Sequence, residues 1–153
     1  MLIDEKIKQL GVSWPDQAPK PMANYVTVRR TGNLLYLSGA GPFIDGKPAY
    51  VGRVGKDVTL EEAYDAARLS AVNLLSMIRA EVGNLENIRI VKLLGFVSSA
   101  EDFYNQPEVI NGASDFLAEL LGENGKHSRS AIGTSVLPFN IPVEIEMIAE
   151  IIQ

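Results

Sequence analysis

Residues 143–150 read V-E-I-E-M-I-A-E. Val143, Ile145, Met147 and Ala149 take one set of alternate positions, and Glu144, Glu146 and Glu150 take the other. A period of two is the mark of a strand with one apolar and one polar face. Such a strand needs a sheet whose apolar side is covered, and this limits the fold more than any other segment does. Just upstream, Arg129 opens another strand, with the small residues Ala131, Gly133 and Ser135 on its own side. A turn from Pro138 to Pro142 joins the two. If they pair as an antiparallel hairpin with an odd register sum, Arg129 faces the glutamates. An arginine among small residues leaves a hollow with a fixed cation. That hollow suits a small carboxylate, which guanidinium grips through two parallel hydrogen bonds.

The rest of the chain supplies the cover. Residues 1 to about 10 read as a short amphipathic helix stopped by Gly11. Pro15, Pro19 and Pro21 make residues 11–24 an extended arm. Tyr25–Arg30 and Leu34–Ser38 are strands joined by Thr31-Gly32-Asn33, and Asp45-Gly46-Lys47 is a hairpin tip. Thr59–Val82 is a helix, with a Thr59/Glu62 capping box and Gly83 as its stop. Ala63, Ala67, Ser70, Leu74 and Ile78 trace its buried stripe. Ile88–Val97 is β-branched and apolar on both faces, as a central strand is. A second helix, Pro107–Leu121, has Pro107 at its first position and ends at Gly122. Val109, Ala113, Phe116, Leu117 and Leu120 line its inner side. The expectation is one α+β domain over residues 1–153, with an N-terminal arm at about 1–20. Its mixed sheet of about six strands carries both helices on one face. The other face must then be covered, and Ile132, Ile148 and Ile152 make self-association a reasonable solution.

Composition removes several chemistries. The chain has no cysteine, so disulfides, thiol nucleophiles and cysteine-based metal sites are excluded. Its one histidine, His127, cannot build a multi-histidine zinc site. A net charge of −5 matches a phosphate backbone poorly, and no G-x-G-x-x-G or G-K-S/T loop occurs. No apolar run approaches the ~20 residues that span a bilayer, and the N-terminus lacks a signal-peptide core. The protein is expected to be soluble and cytoplasmic. The remaining candidates each have two readings. Glu144 and Glu146 are either a solvated edge or a water holder with its orienter. Ser38, in S-G-A-G, either ends a strand or stands beside N–H groups freed to bind an anion. Tyr25 reads as a sheet aromatic. His127, in G-K-H-S-R, is either a general base or, having no visible partner, a loop residue, and the second reading is favoured.

Taken together, these residues resemble the YjgF/Rid family, the reactive-intermediate deaminases also called L-PSP endoribonucleases. The resemblance runs from Asn24 to Glu150. It rests on N-Y-V, L-Y-L-S-G, K-L-L-G-F-V and, above all, R-S-A-I-G-T-S-V-L-P followed by P-V-E-I-E. Residues 1–20, with the lengthened Tyr104–Pro107 and Gly122–Lys126 regions, place the chain in a longer branch. The resemblance implies a chorismate-mutase-like fold and a homotrimer with clefts between subunits. Arg129 would hold a substrate carboxylate and Glu144 would position the attacking water. Tyr25, Ser38, Gly39 and Asn111 would line the cleft. The implied reaction hydrolyses small enamine or imine acids, such as 2-aminoacrylate or 2-iminopropionate, to 2-keto acids and ammonia, with no metal or cofactor. Ala40 and Ala131 depart from the family's common Gln and Cys, and Gly133 from a larger residue. The alternative is a carboxylate-binding or regulatory trimer without catalysis. Endoribonuclease or translation-inhibitor activity would want an acid/base pair and a basic groove, which an acidic chain with one histidine does not offer.

Overall fold

The computed structural model describes residues 2–152; Met1, with which the expected first helix begins, and Gln153 lie outside the described residues. In chain order the elements are α1 (Ile3–Gln9), β1 (Val28–Thr31), β2 (Leu34–Ala40), β3 (Phe43–Ile44), β4 (Lys47–Pro48), α2 (Leu60–Val82), β5 (Ile88–Ser98), α3 (Gln106–Leu121), β6 (Ser128–Thr134) and β7 (Val143–Ile151). Five strands form one mixed sheet in the order β1-β2-β7-β5-β6, and β3 and β4 form a separate hairpin. The six-strand expectation thus resolves into five strands plus that hairpin. At the hairpin tip Asp45 and Gly46 both have positive φ, the conformation a two-residue turn demands.

The alternation of β7 behaves as its pattern requires. Val143, Ile145, Met147 and Ala149 are all buried beneath the helices. The helix stripes complete the core: Ala63, Ala67, Ser70, Leu74 and Ile78 of α2, which packs on β7, are fully buried, as are Val109, Ala113, Leu117 and Leu120 of α3, which packs on β5 and β6. Thr59 and Glu62 form the reciprocal capping box, and Gly83 ends α2 with φ 94°. The helix α3 starts one residue before Pro107. The two helices touch where neither has bulk: a Cβ on Gly112 would lie 2.0 Å from the Tyr64 carbonyl oxygen.

One expectation fails, with consequences for the site. β6 and β7 do not form a hairpin. β6 pairs in parallel with β5, and β7 inserts between β2 and β5, antiparallel to both. The cause is partly connective: α3 returns the chain from the end of β5 to the start of β6, so β6 runs with β5. The segment around Pro138–Asn140 then carries the chain past the end of β5. There Ser98 N–H donates to the Pro142 carbonyl at 2.8 Å.

Gly112→Ala should therefore push α2 and α3 apart. A loss of roughly 1–3 kcal/mol in denaturant unfolding is expected.

Candidate functional site

Registered strand neighbours share a face. Leu93 pairs with Arg129 on one side and Met147 on the other. Leu93 and Met147 are buried under the helices, so Arg129 belongs to the helix-covered side, at the sheet edge. There its guanidinium reaches α3: Nη1 donates to Ser114 Oγ at 3.0 Å and Nη2 to the Pro107 carbonyl at 3.1 Å. A hollow of about 280 Å³ opens beside it, lined by Asn111, Ser114, Lys126 and His127 among others. The hollow expected around Arg129 exists as a shallow, open depression, lined by helix and turn residues rather than by the small residues of its own strand.

Glu144 lies elsewhere. It pairs with Phe96, and Glu146 pairs with Leu94, so both carboxylates point to the open face. Arg129 and Glu144 sit on strands separated by β5, about 10 Å apart across the ladder, and on opposite faces. The shared face expected from a β6–β7 hairpin is thereby corrected. Burial raises the Glu144 carboxyl above its ordinary value of 4.5, and the neighbouring Glu146 charge adds to this. Glu150 is paired with Arg89 at 2.9 Å. Glu144 and Glu146 enter none of the ion pairs among the described residues.

The remaining candidates divide between these two places. Asn111 shares the hollow with Arg129. Gly39 lies against Glu144, where a Cβ would stand 3.0 Å from its Cγ and Cδ. The β2–β7 register slips between Leu37 and Ala40, so Ser38 and Gly39 occupy a bulge beside the carboxylate. Ser38 Oγ donates to the Val26 carbonyl at 2.7 Å, which ties the segment after Tyr25 to β2. Tyr25 is exposed, and its hydroxyl accepts from Met22 N–H at 3.3 Å. Ala40 is buried, and Ala131 packs half-buried against the core.

Two residues acquire partners that were not foreseen. His127 is held on both ring nitrogens, by Ser114 Oγ at 2.8 Å and the Gly125 carbonyl at 2.7 Å. Burial lowers its pKa from 6.5; the Gly125 hydrogen bond acts against this, and the Arg129 charge lowers it further. Ser114 went unremarked, although a signal was present. Asn111, Ser114 and Ala118 follow helical spacing on the face opposite the apolar stripe, and His127 and Arg129 stand i, i+2. Among the described residues no three His, Asp or Glu side chains gather as a metal site.

Residues 5–151 match the family model described as "YjgF/chorismate mutase-like, putative endoribonuclease". The chain is 37% identical to Protein TCP17 of Trypanosoma cruzi over 147 residues, 95% of this chain and 91% of that protein. Among solved structures, Atu1372 of Agrobacterium tumefaciens superposes with a TM-score of 0.91 at 47% identity, covering 97% of this chain and 92% of that one. A protein from Shewanella oneidensis superposes with a TM-score of 0.93 at 31% identity, covering 99% and 100%. The fold, a mixed sheet with α2 and α3 on one face, is the α+β chorismate-mutase-like fold. A match over nearly the whole length, residues 5–151, makes this chain a member of the YjgF family.

Proposed function

We propose that the protein hydrolyses small 2-imino acids, and the enamines that tautomerise to them, in clefts between the subunits of a cytoplasmic homotrimer. The observation that carries this reading is that Arg129, lining a hollow, and a half-buried Glu144, unpaired among the described residues, lie on opposite faces of one sheet. A three-carbon acid cannot touch both within one chain. It can touch both where the Arg129 edge of one copy meets the open face of another. Ile132, which is exposed, and the half-buried Phe96 and Ile148 give that face apolar surface to cover.

The chemistry asked of the site is light. Water adds to C2 of 2-iminopropionate, the C–N bond breaks, and pyruvate and ammonia leave. Arg129 anchors the carboxylate in its planar fork. Glu144 holds the water and takes its proton, a task favoured by a carboxyl raised toward neutrality. Gly39 leaves room for that carboxylate, and Asn111 stands beside Arg129; Tyr25 and Ser38 are assigned to the same cleft as Glu144. Imines hydrolyse unaided, so orientation and charge placement are sufficient work for the protein.

A second reading, a carboxylate binder without turnover, is favoured by the Arg129 hollow being lined within a single chain. The two separate cleanly. In assays of pyruvate release from 2-iminopropionate generated in situ, the wild type should exceed the spontaneous rate. Arg129→Ala should lower the enzymatic rate by about 10–100-fold, the worth of a charge-assisted pair. Glu144→Gln should lower it by about 100-fold while leaving pyruvate binding intact. A wild type no faster than buffer would favour the binder. RNA incubated with the purified protein should remain whole; cleavage that Arg129→Ala abolished would reverse this assignment.

A further inference from the structure

We infer that Ser114 and His127 are positioning residues for Arg129, acting through a hydrogen-bond chain that only a neutral imidazole with its proton on Nδ1 completes. The inference goes beyond the reaction proposed above but takes from it the role of Arg129 as carboxylate anchor.

The proton directions follow from which groups can donate. The Gly125 carbonyl has no proton to give, so the 2.7 Å contact requires His127 Nδ1 to carry one. A neutral imidazole then leaves Nε2 bare, and Ser114 Oγ, 2.8 Å away, donates to it. With its single proton committed, Ser114 meets Arg129 as an acceptor, and Nη1 donates to it at 3.0 Å. Pro107 O fixes Nη2. Two of the five guanidinium N–H groups are thus used to set the plane, and three remain for a ligand. The turn that presents Gly125 is itself fixed, since a Cβ there would lie 2.0 Å from the Leu117 carbonyl oxygen on α3. A guanidinium held before the ligand arrives binds it with less ordering cost.

The surroundings favour the neutral ring. β6 contributes Arg129, a cation. The preceding turn contributes Lys126, whose charge is met by Glu123 at 3.1 Å on exposed side chains. α3 contributes Asn111 and Ser114, both neutral, while its Asp115 is engaged by the Tyr64 hydroxyl at 2.7 Å. Among the described residues no carboxylate lines the hollow. An imidazolium would turn Nε2 into a donor toward Ser114 Oγ, deprive the Ser114 hydroxyl proton of that acceptor, and place a second cation beside the first. Burial and the Arg129 charge accordingly lower the His127 pKa.

The chain has one histidine, so a long-range proton–nitrogen NMR spectrum of the intact protein reports one imidazole. The expected result at pH 7.5 is the Nδ1–H tautomer, titrating below 6.5. An Nε2–H tautomer, or titration at or above 6.5, would overturn the chain. A folded pKa below the unfolded one means that stability from neutral His127 is complete above pH 6.5 and declines as pH falls from there toward the folded value. His127→Gln, which keeps an acceptor and cannot titrate, should remove that decline. Calorimetry with pyruvate at pH 7.5 reads the positioning role. Ser114→Ala should weaken binding about tenfold with little change in Tm, and His127→Phe, which keeps a ring but loses both hydrogen bonds, should weaken it in the same direction, with His127→Gln recovering part of the loss by returning an acceptor. Unchanged affinity in Ser114→Ala would leave the pair merely structural and defeat the inference. A wild type that bound no pyruvate would defeat the anchor role of Arg129 and the positioning role with it, while the imidazole spectrum separately decides the hydrogen-bond chain.

Discussion

Everything in this molecule is arranged around the two faces of β7. Its aliphatic half lies at the centre of the core, under α2, with Val143, Ile145 and Ala149 fully buried. The same strand carries a glutamate at three of its intervening positions, and burying unpaired carboxylates there would cost far more than aliphatic packing returns. The acidic half must therefore face away from the helices. Since registered neighbours share a face, this one choice also assigns β5 and β6: Leu93 and Arg129 fall on the helix side, Phe96 and Ile132 on the open side. The hydrophobic effect that forms the core thus separates the cation from the carboxylate. Under the proposed reaction, a ligand as small as 2-iminopropionate would meet both only between copies.

Much of the fold was legible because its signals are local. The Thr59/Glu62 box, the Gly83 stop, the D-G turn and the Pro107 helix start are each complete within a few residues, and each appears where its chemistry places it. The helix stripes were equally readable, since burial depends on periodicity alone. The pairing of β6 was not. Residues 129–146 look like a strand–turn–strand unit, and adjacency favours a hairpin. Which strand lies between them is decided by where α3 returns the chain and by which strand has the apolar face fit for the centre. Both are non-local.

The candidate site shows the same division. Arg129 and Glu144 stand out from strand alternation, and Gly39 and Asn111 from the family resemblance; the structure gives each a definite place, Arg129 and Asn111 at the hollow, Glu144 and Gly39 at the β2 bulge. His127 was read as a loop residue because its partners stand on α3 and at Gly125, where no short motif points. The helix α3 serves the core with its apolar stripe and the hollow with Ser114 and Asn111. The absence of a side chain at Gly112 lets it sit close enough to α2 to do both.

The central claim, that Arg129 and Glu144 act on one substrate from different copies, is tested most directly by mixing two inactive proteins. Arg129→Ala and Glu144→Gln chains, co-assembled at random, would form some clefts in which both groups are wild type. Independent assortment predicts recovery of roughly one quarter of the wild-type imine-hydrolysing activity, from two preparations that separately have almost none. A mixture no more active than its parents would contradict the shared cleft.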